Sequence, residues 1–134
     1  MGVGGMKIEY FNNEAVRFIE TSQVKTGVVC DVYSFVEDDT KDLGIVIVVK
    51  GESTPKQKVL AGVKTEEIFI SGCGTLEIKR ASGVIEIYDF PGDVITVSVQ
   101  VGDVMQWKAV DGEDLCFGEV CYPPYKDGRF EVIE

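Results

Sequence analysis

The sequence predicts an all-β fold, a barrel or sandwich with at most one short N-terminal helix. Three features carry that expectation. Nearly every apolar segment is short and rich in Val and Ile, the segments are bounded by Gly, Pro or Asp, and they recur in close succession along 134 residues. The segments that read as strands are Val28 to Val36, Gly44 to Val49, Lys56 to Leu60, Glu66 to Ile70, Thr75 to Arg80, Val84 to Tyr88, Val94 to Val99, Met105 to Ala109 and Leu115 to Cys121. About nine strands at this spacing suit a sandwich or barrel.

The opening Met1-Gly2-Val3-Gly4-Gly5-Met6 is glycine-rich and is expected to be a flexible N-terminus. Within Glu14 to Gln23, Ala15, Val16, Phe18 and Ile19 could share one face of a short helix. Glu37-Asp38-Asp39 with Lys41 and Asp42 reads as an exposed turn. Later connections carry turn chemistry: Lys50-Gly51-Glu52, Ser71-Gly72-Cys73-Gly74, Ala81-Ser82-Gly83, Phe90-Pro91-Gly92-Asp93, Val101-Gly102-Asp103 and Asp111-Gly112. No composition shift or repeat marks a second domain, so residues 1–134 are read as one domain.

In Ile45 to Val49 and in Ile68-Phe69-Ile70 neither alternating set of positions is polar, so each strand needs cover on both faces. A barrel interior covers one face. A flanking segment, a second sheet or another subunit must cover the other, and a homodimer packed sheet on sheet is the expected solution.

Hydrophobic residues make up 45% of the chain and charged residues 27%, a globular balance rather than a disordered one. The net charge is 13 − 23 = −10, which repels phosphate backbones and anionic membranes, so no nucleic-acid or membrane partner is expected. Leu43 to Val49 is far short of the roughly 20 residues that span a bilayer, and no charged-then-apolar signal is seen, which makes the cytoplasm the expected location.

The chain has no histidine, which removes histidine metal ligands and the base of the common serine and cysteine dyads. No Gly-Lys-Ser or Gly-Lys-Thr phosphate loop occurs. Cys30, Cys73, Cys116 and Cys121 form no CxxC pair and read as ordinary thiols. Cys116 and Cys121 would point to opposite faces of a straight strand.

Thr65-Glu66-Glu67-Ile68-Phe69-Ile70-Ser71-Gly72-Cys73-Gly74-Thr75-Leu76-Glu77-Ile78 resembles the first conserved motif of the cupin superfamily, in which a glutamate is followed, after six residues, by a turn glycine. Glu67 and Gly74 have that spacing. Pro91-Gly92-Asp93-Val94 and Val101-Gly102-Asp103-Val104-Met105-Gln106-Trp107 look like the second motif, with two extra residues between the glycines. Glu119-Val120-Cys121-Tyr122-Pro123-Pro124-Tyr125 is similar to the strand and diproline that end many small cupins. The likeness runs over about 51–125 and implies a cupin-like β-barrel, a jelly roll or double-stranded β-helix.

The resemblance also implies a metal site of two histidines, the glutamate and a third histidine. Here only Glu67 has a counterpart; Gln57 and Val59 stand nearest the first pair, and Met105 stands at the third position. A carboxylate, an amide and a thioether suit the usual divalent ions poorly, so a metal-free, cofactor-free barrel is expected.

Glu67 is the candidate acid-base or binding carboxylate, against the alternative that it faces solvent or pairs with Lys64 or Lys58. Lys58 is its candidate partner. Met105 and Trp107 share a strand face, and Trp107 either packs the core or forms a platform for a sugar ring. Tyr122 and Tyr125 could cap the barrel mouth, and Gln57 and Gln106 could bind sugar hydroxyls. The ligand-binding set is thus Gln57, Lys58, Glu67, Met105, Trp107 and Tyr122, with a small polar ligand, a sugar or sugar derivative, as the expected occupant. The alternatives are a sugar isomerase, epimerase or lyase using Glu67, and a non-catalytic dimeric scaffold.

Overall fold

The computed structural model describes residues 7–124 and 130–133, so the expected flexibility of Met1 to Met6 falls outside the described residues. Among the described residues twelve strands follow one another: β1 (Tyr10–Phe11), β2 (Glu14–Lys25), β3 (Val28–Phe35), β4 (Asp38–Val48), β5 (Gln57–Val59), β6 (Lys64–Gly72), β7 (Gly74–Lys79), β8 (Ile85–Phe90), β9 (Thr96–Gln100), β10 (Val104–Ala109), β11 (Leu115–Tyr122) and β12 (Phe130–Val132). They form a seven-stranded sheet in the order β1-β2-β3-β4-β11-β6-β9 and a five-stranded sheet in the order β12-β5-β10-β7-β8. This is the all-β cupin-type jelly roll expected from the sequence. No helix among the described residues is long and apolar enough to cross a membrane.

The segment expected to offer a helical face is instead strand β2, paired with β3 across the Thr26-Gly27 turn. Its register shifts between Phe18 and Glu20, leaving Ile19 as an extra residue that is 53% exposed. A bulge of this kind breaks the two-residue alternation, which is why the apolar spacing imitated a helix. It also re-aims the strand: Val16 and Phe18 pack on the outside of the sheet, whereas Glu20, Ser22 and Val24 turn to the interior. The acidic run is a second correction. Asp38 to Asp42 lie within β4, where Lys41 bonds Glu14 of β2 at 2.8 Å.

Between the sheets lies a core that includes Val28, Val46, Val48, Leu76, Ile78, Val99, Trp107 and Leu115. A second cluster on the outer face of the larger sheet joins Val16, Tyr33, Phe35, Leu43 and Val120. Ile8, Phe11, Ile45 and Ile68 pack against it, so the chain's own N-terminal segment supplies much of the cover that the two-faced strands require. Phe11 lies over Gly118 so closely that a Cβ there would meet Phe11 Cζ at 3.0 Å.

Gly72 carries a different constraint, because it has φ +90° and an added Cβ would sit 1.9 Å from the Asp114 carbonyl oxygen. Both the left-handed backbone and the close approach require glycine at the junction of β6 and β7. Gly72→Ala should therefore lower stability by more than about 1 kcal/mol in urea unfolding, whereas Gly83→Ala, with open space around its Cβ, should cost less.

Candidate functional site

An open cavity of about 510 Å³ lies between the sheets. Its floor is built from three strands. Glu67 of β6 is fully buried, and its Oε1 accepts a 2.9 Å hydrogen bond from Trp107 Nε1 of β10. Met105 shares the inner face of β10 with Trp107, and its register partner on β5 is Gln57, which also lines the cavity. Glu20, Ser22 and Val24 of β2 form an exposed rim.

Strand pairing adds a residue that sequence reasoning passed over. Glu119 of β11 stands directly opposite Glu67 of β6, and both line the cavity. Burial, foremost, and the neighbouring Glu119 carboxyl hold Glu67 well above the ordinary glutamate range, outweighing the opposing hydrogen bond from Trp107. Two ionised carboxylates have no donor between them, and Glu67 Oε2 is buried without a hydrogen-bond partner. Thr65 Oγ1, two residues earlier on the same face of β6, is also buried without a partner.

Of the expected ligand-binding residues, Gln57, Glu67, Met105 and Trp107 converge in the cavity. Lys58 does not. It follows Gln57 on β5 and therefore points to the opposite side of the sheet, into a separate depression with Glu77 and Lys79. Tyr122 also faces away, on the outer side of the larger sheet, where Lys64 and Lys41 lie 5.0 and 5.9 Å from its ring centre. Gln106 donates to the Thr54 carbonyl at 2.9 Å, and Tyr125 lies outside the described residues.

Trp107 resolves its two expected roles in favour of packing. Its ring stacks on Phe117 at 4.3 Å, tilts against Phe90 at 5.2 Å and is 1% exposed, so no ring face is open to a sugar. Its N–H positions the carboxyl instead. Glu119 carried a weak signal in sequence, since it shares strand parity with Phe117 and Cys121, but its apposition to Glu67 depends on long-range register.

The fold and site together define a cupin-fold protein with a carboxyl-floored barrel. No family model matches the sequence, and no curated protein matches it. In structure the chain is similar to the capsular polysaccharide assembling protein CapF from Staphylococcus aureus, with TM-score 0.67 and 15% identity, covering 89% of this chain and 32% of that one. It is also similar to protein SO0799 from Shewanella oneidensis, with TM-score 0.62 and 11% identity over 90% of this chain and 74% of that one. A third neighbour is oxalate decarboxylase from Lactobacillus farciminis in a formate complex, with TM-score 0.63 and 15% identity over 97% and 34%. The chain therefore spans about a third of the CapF and oxalate decarboxylase chains.

The metal that a cupin likeness implies does not fit these residues. Gln57, Glu67 and Met105 do come together, but they offer one carboxylate, one amide and one thioether, and the indole already holds Glu67 Oε1. No group of three or more Cys, Asp or Glu placed to hold a metal ion occurs among the described residues.

The raised Glu67 pKa sets a pH dependence. Above the ordinary value of 4.5 and below the elevated folded value, the native chain keeps a proton that the unfolded chain has released. Stability contributed by this group therefore falls as pH rises through that window, by about 1.4 kcal/mol per pH unit at most. Glu67→Gln keeps an acceptor for Trp107 and a donor toward Glu119 without a charge. Thermal melts should show the variant more stable than the native chain at about pH 8, the difference shrinking toward about pH 5. A variant that is less stable at every pH would mean that Glu67 is ionised and paired.

Proposed function

We propose that the barrel binds a small polar organic molecule, a sugar or sugar derivative, without a metal ion. The observation that carries this reading is the buried, unpartnered Glu67 Oε2, on a side chain that lines an open cavity. Such an atom costs about 1–3 kcal/mol when left unsatisfied. A ligand hydroxyl that donates to Glu67 would relieve it. Met105, Phe117 and Phe130 give the cavity apolar walls, and Gln57 adds an amide, the mixture usual for small-molecule sites. The likeness to a capsular polysaccharide assembling protein supports carbohydrate as the ligand class.

Isothermal titration with neutral mono- and disaccharides tests the proposal. A sugar that binds the native chain should bind Gln57→Ala about threefold to tenfold more weakly, the worth of one neutral hydrogen bond. Affinity unchanged in that variant would place the ligand elsewhere.

The apposed Glu67 and Glu119 carboxyls favour one second reading, an isomerase, epimerase or lyase in which Glu67 acts as acid or base. Lys58 and Tyr122 face away from the cavity, so Glu119 takes the assisting part. Turnover would then show a bell-shaped pH profile and would vanish in Glu67→Gln. An open, polar-floored cavity gives little support to a scaffold whose barrel is filled by side chains.

We also propose a homodimer in the cytoplasm. All four cysteines are free thiols, as suits a reducing compartment. Val84, Ile85 and Ile87 are 56%, 58% and 63% exposed at β8, an edge strand of the smaller sheet, and a second copy would cover them. Light scattering should give twice the chain mass, and Ile87→Lys should return it to the single-chain value.

A further inference from the structure

We propose that a second copy of this chain docks edge to edge, its β8 adding antiparallel to β8 so that Ile85 of one copy stands opposite Ile87 of the other. The smaller sheets of the two copies then form one continuous sheet. The inference rests on the homodimer reading above and adds the docking edge and its register. The ladder shows which groups β8 leaves unused. Arg80 N donates to the Val84 carbonyl at 2.8 Å, and the alternation that continues from this turn commits Glu86, Tyr88 and Phe90 to bonds with β7. Ile85 and Ile87 therefore direct N–H and C=O away from β7, at the open side of the sheet, and both are largely exposed. Asp89 shares their direction, but the following turn crowds its carbonyl, since a Cβ on Gly92 would lie 2.7 Å from it.

The neighbouring edge strand is sealed, and the contrast singles out β8. Phe69 N donates to the Ile95 carbonyl, which by the same alternation leaves Thr96, Ser98 and Gln100 facing the open edge of β9. There the Arg80 guanidinium donates to the Ser98 carbonyl at 2.8 Å, and the Asp103 carboxylate accepts from the Gln100 N–H at 2.9 Å. The long strand β2 is interrupted by two register shifts, which spoil it as a flat template. Among the described residues no side chain caps the backbone of Ile85 or Ile87. Solvent-facing edges are commonly guarded by lysine, proline or a bulge. β8 has none of these, and its Glu86 is held by Arg80 at 2.8 Å.

The strand is also its own complement. A two-fold axis at Glu86 sets Ile85 against Ile87 of the second copy twice, and each pair exchanges both backbone hydrogen bonds. On β7 the register partner of Ile85 is Lys79 and that of Ile87 is Glu77. Each isoleucine pair is thus flanked by a lysine from one copy and a glutamate from the other, so the rows match in charge as well as in apolar surface. On the inner face Glu86 meets its own copy, a like-charge contact moderated by the Arg80 that holds each carboxylate. The alternative register, with Ile87 opposite itself, would set each Ile85 against Asp89.

Residue-resolved hydrogen exchange on the full chain, followed with light scattering as concentration rises, tests the inference. The Ile85 and Ile87 amides should slow by about tenfold or more as the mass doubles, while Thr96 on the other edge stays unchanged. A chain carrying Ile85→Cys and Ile87→Cys together should be cross-linked between copies by mild oxidation, with the native chain as control. Either change alone should not be, because like positions then stand beyond disulfide reach. A dimer whose Ile85 and Ile87 amides keep their single-chain rates would overturn edge pairing and leave the homodimer standing. A cross-link in Ile87→Cys alone would overturn the register. A single-chain mass at every concentration would overturn both the pairing and the homodimer.

Discussion

The hydrogen bond from Trp107 Nε1 to Glu67 Oε1, 2.9 Å long and buried, joins the smaller sheet to the larger one and fixes a carboxyl inside the barrel. The indole can hold that position because Phe117, Phe90 and Phe69 form a continuous aromatic stack with it, drawn from both sheets. Aromatic burial of this size dominates a core of this kind, so the carboxyl's location is inherited from packing rather than from its own polarity. Once the carboxyl is held there, the remaining chemistry follows. Burial raises its proton affinity, Glu119 raises it further, and one oxygen is left without a partner.

The same negative interior decides what the cysteines can do. Cys30 lines the cavity, and burial together with Glu119, Asp31, Asp42 and Glu67 pushes its thiol up to about 12. Cys116 is pushed up to about 11 by burial. The nucleophile of cysteine chemistry is the thiolate, and both groups stay protonated at neutral pH. Burial in this acidic interior thus suppresses a thiol nucleophile, and among the described lining residues carboxyl groups are the acids and bases of consequence.

Much of the barrel was legible because strand parity and turn residues are local signals. The two-residue period put Met105 and Trp107 on one face, and the glutamate spacing before Gly74 marked Glu67. Parity alone could not choose between Gln57 and Lys58, since adjacent residues face opposite ways and nothing local says which face is inward. Glu119 was hidden for a different reason: its meeting with Glu67 depends on the pairing of β11 with β6, whose strands lie far apart in the chain. The bulge at Ile19 hid β2 by breaking the very alternation that identifies strands. Tyr122, close to a diproline, invited a place at the barrel mouth, yet its parity with Val120 puts it outside.

Glu66 and Glu67 show how the register is specified. They are consecutive, yet Glu66 meets Lys64 at 3.2 Å and the Tyr122 hydroxyl at 3.4 Å on the outer face, whereas Glu67 is sealed against Trp107. A one-residue slip of β6 would exchange their environments, placing Glu66 without its lysine in the core and Glu67 without its indole in water. It would also turn Phe69 out of the aromatic stack and Ile68 out of the outer cluster. Hydrophobic pattern and charge placement therefore oppose the same slip. A one-residue slip would leave neither face of the sheet satisfied, and the interior carboxyl sits in the register that avoids it.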